Sequence, residues 1–162
     1  MLISTALLAA CGAPSPDTVK PGGAIEKPKT PEKVVKTPEQ NTVVKSSAKT
    51  IVAYQHELAL HLSRVNATKI YATNPQALLR SVVVLRFTLN AQGHLVSKAI
   101  VRSNKDKETE TSALSSLVNA QPFPIPPTLL LKQGKLDMVE TWLFNTDGRF
   151  QLRTIALPQA NL

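Results

Sequence analysis

The chain has 162 residues, of which 43% are hydrophobic and 4% aromatic, so it has room for one domain with a largely aliphatic core. Lysine and arginine number 19 against 11 acidic residues, a formal net charge of +8. The single cysteine excludes an internal disulfide framework, a thiolate zinc site and a cysteine redox pair, and the histidines number three.

The N-terminal residues 1–10, MLISTALLAA, are apolar or small, and no charged residue precedes Asp17. The run is shorter than the roughly 20 apolar residues that span a bilayer, but it suits the apolar part of a secretory signal. The alternative is a buried N-terminal element with an inert thiol at Cys11. Because the residues that follow offer no core to pack against, we predict a signal peptide over residues 1–10.

The end of this run resembles the lipobox of bacterial lipoproteins. The resembling residues are Leu8, Ala9, Ala10 and Cys11. The resemblance implies cleavage before Cys11, acylation of its thiol, and a periplasmic protein held to a membrane by lipid. An aspartate directly after the cysteine would direct retention in the inner membrane. Gly12 stands there instead, so the outer membrane is favoured over the inner one.

Residues 11–50 are rich in proline and lysine and contain no aromatic residue. Such a segment cannot bury enough apolar surface to offset its chain entropy, so we predict a disordered, extended tether. Its positive charge suits anionic lipid or peptidoglycan, and a neutral spacer is the alternative. Nucleic acid is not an expected partner, because an exported chain does not meet it.

Apolar residues at near-helical spacing predict a helix over residues 51–65, and a short further helical turn is expected at 74–79. Residues 81–90 alternate apolar and polar and predict a strand. Gly93 supplies the positive φ of a hairpin turn into a partner strand over 95–102. The imperfect alternation of that second strand indicates a bulge.

The second half of the chain repeats this order. Its predicted elements are helix N-caps at 103–106, a helix over about 107–119, a proline-rich break at 122–127, a strand around 136–144 interrupted by Glu140, a hairpin at Asp147 and Gly148, and a strand over 150–155. Two hairpins require antiparallel pairing, and two helices must cover one sheet face. We therefore predict an α+β domain over residues 51–162, with a small antiparallel sheet of three to four strands, two helices on one face, and the order α-β-β-α-β-β.

Residues 71–127 resemble the C-terminal domain of the TonB family, whose fold the C-terminal domain of TolA parallels. The resembling segments are VVVLRFTLNAQG, HLVSKAIVRSN, TETSALSSL and PFPIPP. The resemblance implies a periplasmic domain that binds an extended peptide of an outer-membrane receptor at an open sheet edge. The chain has a lipobox where TonB has a transmembrane helix that engages an inner-membrane motor, so energy transduction by this chain alone is not expected.

The expected binding edge is the last strand or the segment just before the first one. The candidate partner-binding residues are Arg80, Ser81, Phe150, Leu152, Arg153 and Thr154. The expected partner is an envelope protein, either an outer-membrane receptor or a component of a motor complex. The alternative is a structural lipoprotein that bridges the outer membrane to peptidoglycan or to a larger assembly.

The polar residues form no pattern that indicates catalysis. His56 and His61 lie five residues apart, about 140° around a helix, whereas helical zinc ligands lie four apart. Ser115 and Ser116 have no paired base, and no G-x-S-x-G or glycine-rich phosphate loop occurs. We expect a protein that is not an enzyme, with no catalytic residue, metal or cofactor.

Overall fold

The structure is a computed structural model that describes residues 44–159. Three predictions lie outside the described residues: the signal peptide, the lipobox at Leu8, Ala9, Ala10 and Cys11, and most of the tether.

The described residues form helices and strands in the predicted order, which confirms the α+β fold class. The elements are α1 (Ile51–Val65), β1 (Ser81–Asn90), β2 (Leu95–Arg102), α2 (Lys107–Asn119), β3 (Lys135–Phe144) and β4 (Phe150–Leu152), with 3-10 helices at Ala67–Lys69 and Thr128–Leu130. Within residues 44–159, no helix has both the length and the apolar character needed to cross a membrane.

The strands form one antiparallel sheet in the order β2-β1-β3-β4. β1 is central and pairs with β3 over its whole length, from Ser81 opposite Phe144 to Asn90 opposite Lys135. The predicted bulge is confirmed, because the register between β1 and β2 shifts at both ends of their pairing. β2 and β4 are the edges of the sheet.

The core lies on one face of this sheet, as the alternation of β1 predicts. Alternate residues of β1 from Ser81 to Leu89 are buried, and those of β3 from Leu136 to Phe144 continue the same face. Both helices contribute buried residues to the core on this face. Their core residues are Tyr54, Leu58, Ala59, Leu62, Ala113 and Leu117. Among the described residues, no helix covers the opposite face of the sheet.

Side-chain caps begin both helices, and the cap of α2 lies where the sequence predicts. Thr50 caps α1, its hydroxyl accepting from the backbone N–H of Ala53. Within the predicted cap region, Asp106 is the residue that caps α2, and its carboxylate accepts from two backbone N–H groups.

Three predicted boundaries differ from the structure. No helical turn forms at residues 74–79, where the chain is irregular and Gln76 accepts a hydrogen bond from the Thr146 N–H. β4 ends at Leu152, because the chain turns there and the Ile155 N–H donates back to the Leu152 carbonyl.

The folded unit also begins earlier than the predicted tether boundary at residue 50. The Ser46 N–H donates to the Ile125 carbonyl at 3.0 Å, and the Ile125 N–H donates to the Val44 carbonyl at 2.9 Å. The Ser46 hydroxyl donates to Glu57 of α1 at 2.5 Å, and Ala48 is part of the core. Residues 44–50 therefore lie against the domain, because the proline-rich loop offers them a backbone to pair with.

Candidate functional site

Arg80 and Ser81 lie inside the sheet, contrary to the expectation that they mark an open edge. Ser81 is paired with Phe144, and its hydroxyl donates to Asn104 at 2.6 Å. The guanidinium of Arg80 is bonded to Asp106 at 2.8 Å and to Glu108 at the start of α2. Because β3 runs beside the full length of β1, neither residue is available for strand addition.

The outer side of β4 is covered as well. Phe150 and Leu152 are fully buried core residues. The Tyr71 N–H donates to the Phe150 carbonyl at 3.4 Å, and the Gln151 amide donates to the Tyr71 carbonyl at 2.7 Å. The segment at Tyr71 thus occupies the position that the sequence predicts for a partner peptide.

Arg153 and Thr154 cover the outer side of β3 beyond the end of β4. The Arg153 N–H donates to the Thr141 carbonyl at 2.9 Å. Gln55 of α1 donates to the Val139 carbonyl at 3.0 Å and to the Thr154 hydroxyl at 3.1 Å. The residues of the predicted binding edge and Gln55 therefore cover the outer side of β3 from Val139 to Phe144, so they leave no free edge along that part of the strand.

The opposite edge, formed by β2, is free over its length in the described part of the chain. Leu95 is the exception, because its N–H donates to the side chain of Gln121 at 2.8 Å. The Asn90 N–H donates to the His94 carbonyl in the turn, so the backbone groups of Asn90 point toward β2. In an antiparallel ladder this direction alternates from one residue to the next. The pairing of β1 with β2 then directs the backbone groups of Lys98 and Ile100 away from β1. Within residues 44–159 these outward groups have no partner, so they are donors and acceptors for an added strand.

The side chains of β2 are exposed on both faces of the sheet. Val96, Ile100 and Val101 are 50%, 37% and 51% exposed, so three branched apolar side chains lie along one edge strand. The two register shifts bound a regular stretch at residues 97–100. Irregular ends of this kind restrict edge-to-edge pairing, so the edge suits a short segment.

The charge along this edge is positive. Lys98 and Arg102 of β2 and Arg86 of β1 are exposed, and none of them forms an ion pair within residues 44–159. The ion pairs of the described residues join Arg80, Lys107 and Arg149 to acidic neighbours elsewhere.

Two contacts hold β2 rigidly at its turn. The Phe123 N–H donates to the Gly93 carbonyl at 2.9 Å, and Gly93 has the predicted positive φ, at +79°. Gln121 holds the first N–H of β2 from the same loop. A preordered edge loses little entropy when it pairs, which favours binding.

The described residues bring no metal site together. No three His, Cys, Asp or Glu side chains between residues 44 and 159 form a group that could hold an ion. His61 contacts the Ala120 carbonyl through Nε2 at 2.7 Å, and His56 is exposed on a different side of α1.

No protein-family model, curated protein or solved structure matches the chain. The resemblance to the TonB family, and the function that it implies, therefore stay predictions.

Proposed function

We propose that this chain is a lipid-anchored periplasmic protein that binds an extended segment of an envelope partner by strand addition, as the resemblance to the TonB C-terminal domain implies. The proposed partner is an outer-membrane receptor or another envelope protein in transport. The observation that supports this proposal is the free edge of β2, where Lys98 and Ile100 direct their backbone groups outward. Backbone hydrogen bonds supply the affinity in such binding, and alternate side chains supply the specificity.

The anchor is proposed from the sequence. Acylation at Cys11 would hold the chain at a membrane, with the outer membrane favoured, and the proline-rich residues that follow would carry the domain away from it. Globomycin treatment followed by mass spectrometry of the N-terminus tests this proposal. Accumulation of uncleaved precursor supports acylation, and unchanged processing contradicts it.

A second candidate function is a structural lipoprotein that bridges the outer membrane to peptidoglycan. The unpaired cations Arg86 and Arg102 on the open side of the sheet favour it, because peptidoglycan is anionic. Sedimentation of the chain with isolated cell wall, weakened strongly by salt, would support this role over strand addition.

Strand addition is tested by titrating the full ¹⁵N-labelled chain with overlapping peptides from the periplasmic segments of outer-membrane receptors. We expect dissociation constants of about micromolar to millimolar order, with amide shifts centred on residues 97–100. Shifts confined to the β4 side, or no shift with any peptide, would contradict binding at β2.

Lys98 offers a matched pair of variants for this test. Lys98→Pro removes an outward N–H that the fold does not use, since proline is tolerated on edge strands when its position faces solvent. Lys98→Ala removes the same side chain and keeps the N–H. Binding lost in the proline variant and retained in the alanine variant supports backbone pairing, provided that both spectra show the folded domain.

A further inference from the structure

Arg86, Lys98 and Arg102 give the β2 edge a single sign of charge, and within the described residues the acidic strand residue on the open face forms no ion pair with them. That residue is Asp137 of β3, which accepts a hydrogen bond from Thr88 at 2.6 Å. We propose that the segment bound at β2 carries a carboxylate opposite Ala99, held between Arg86 and Arg102. This inference rests on the proposed function and specifies its partner as an acidic extended segment.

The register places both arginines beside this position. Ala99 pairs with Arg86, so both side chains lie on the open face of the sheet. The register shift places Arg102 opposite Val84. Val84 and Arg86 are two residues apart on β1, so the side chains of Arg86 and Arg102 lie near each other on the same face of the sheet. A residue opposite Ala99 on an added strand lies two strand spacings, about 10 Å, from the Arg86 backbone. An extended arginine and a carboxylate side chain together bridge that distance.

Ala99 leaves the path between these groups open. Its side chain ends at Cβ, so the Arg86 side chain can pass over it to the edge. The backbone groups of Ala99 point toward β1, so an antiparallel partner residue would form a non-hydrogen-bonded pair with it, and in such pairs the side chains lie closer together. A carboxylate there can form charge-assisted hydrogen bonds with two guanidinium groups, and such bonds are stronger than those between neutral groups.

The residues on either side of the carboxylate would face the helix layer. One of them lies opposite Ile100, which is 37% exposed, so an apolar side chain is favoured there. A second copy of this chain is a poorer occupant of the β2 edge. Pairing two β2 strands would place two Lys98 and two Arg102 side chains at one strand–strand interface, where like charges repel. The recognition pattern is thus a carboxylate with an apolar residue beside it, opposite Ile100, in an extended segment.

Three blocked peptides test the inference on the full chain: Ser-Thr-Val-X-Val-Thr-Ser, with X as Glu, Gln or Lys. We expect the Glu peptide to bind about threefold to tenfold more tightly than the Gln peptide, with the Lys peptide weakest, and the preference to shrink in about 0.5 M salt. Amide shifts at residues 97–100 locate the binding.

Arg86→Gln is expected to lower the preference for Glu over Gln at least about twofold. Arg64→Gln is the matched control, because it removes the same charge from an exposed position on α1. If the Glu and Gln peptides shift the β2 amides with equal affinity, the carboxylate inference is wrong and strand addition stands. If none of the peptides shifts these amides, strand addition at β2 and the inference are both overturned. Concentration-dependent dimerisation through β2 without peptide would favour a second copy and also overturn the inference.

Discussion

Gly93 and Phe123 approach so closely that the turn leaves no room for a side chain. Gly93 has a φ of +79°, and a Cβ added to it would overlap the Phe123 carbonyl oxygen. The same pair shares a hydrogen bond from the Phe123 N–H to the Gly93 carbonyl. This contact fixes the β1–β2 turn against the proline-rich loop and so positions the free edge.

Gly93→Ala is therefore expected to destabilise the domain more than an ordinary glycine substitution in a turn. Gly134→Ala is the matched control, because Gly134 has a φ of +72° and no atom lies within 4 Å of the place that an alanine Cβ would occupy. We expect a loss of about 1 kcal/mol at Gly134 from the left-handed backbone alone, and about 1–3 kcal/mol more at Gly93 from the overlap. Urea unfolding of both variants measures the difference, and equal losses would contradict the close approach.

Ser116 and Trp142 connect α2 to the sheet inside the core. The Trp142 indole N–H donates to the Ser116 hydroxyl at 2.9 Å, and the two residues are fully buried. Ser116→Ala leaves the indole donor without a partner, so we expect a loss of about 1–3 kcal/mol in the free energy of unfolding. The fluorescence of Trp142, the only tryptophan of the chain, reports the unfolding directly.

Ser115→Ala is the control for that substitution. Ser115 is only half-buried, so the same change there is expected to cost less than about 0.5 kcal/mol. A similar loss in both variants would show that the effect comes from α2 itself rather than from the bond to Trp142.

Glu140 is expected to make the domain less stable as the pH rises. The residue is 2% exposed, and burial raises the pKa of its carboxyl above the ordinary range. A carboxyl whose pKa is higher in the folded state is protonated more readily there. Its contribution to folding stability is therefore fully present below the unfolded pKa and is lost as the pH rises through the folded pKa. Glu140→Gln is therefore expected to stabilise the domain at neutral pH and to have little effect in acid. Thermal melts across the pH range measure this difference.

Glu110→Gln is the control of opposite sign. Hydrogen bonds from Ser103 and Lys107 hold the pKa of Glu110 below its usual range. The contribution of Glu110 to folding stability is therefore present above the unfolded pKa and is lost in acid. The two variants should therefore diverge at neutral pH, the first gaining and the second losing stability. A Glu140 variant that loses stability at neutral pH would contradict the effect of burial.

Local patterns are sufficient to predict the helices, the first hairpin and the fold class. The alternation over residues 81–90 identifies the core face of β1, and Gly93 identifies the turn, because both depend on near neighbours in sequence. Glu140 is predicted to interrupt the third strand, but it keeps the alternation and lies on the core face. A buried carboxylate contradicts the hydrophobic pattern, so no local rule predicts it.

The open edge of the sheet could not be predicted, because strand order is a long-range property. The hairpin signals specify that β1 pairs with β2 and that β3 pairs with β4, but not that β1 pairs with β3. With that pairing, Arg80 and Ser81 lie inside the sheet, and β2 is left as the open edge. The signal that could have indicated it is the sequence LVSKAIVR, in which apolar side chains occur on both faces of a strand beside lysine and arginine.

Ser46 fixes the end of the predicted tether to the domain. Its hydroxyl donates to Glu57 and accepts from the Ala48 N–H at 3.1 Å. Ser46→Ala removes both bonds, whereas Ser47→Ala changes an exposed neighbour and serves as the control. We expect Ser46→Ala to lose about 1 kcal/mol and to be cleaved faster by trypsin at Lys45 and Lys49, because cleavage requires local release of the chain. Cleavage at these lysines that is as fast in the unaltered chain as in the Ser46 variant would show that the folded unit begins at α1, where the composition of the sequence places it.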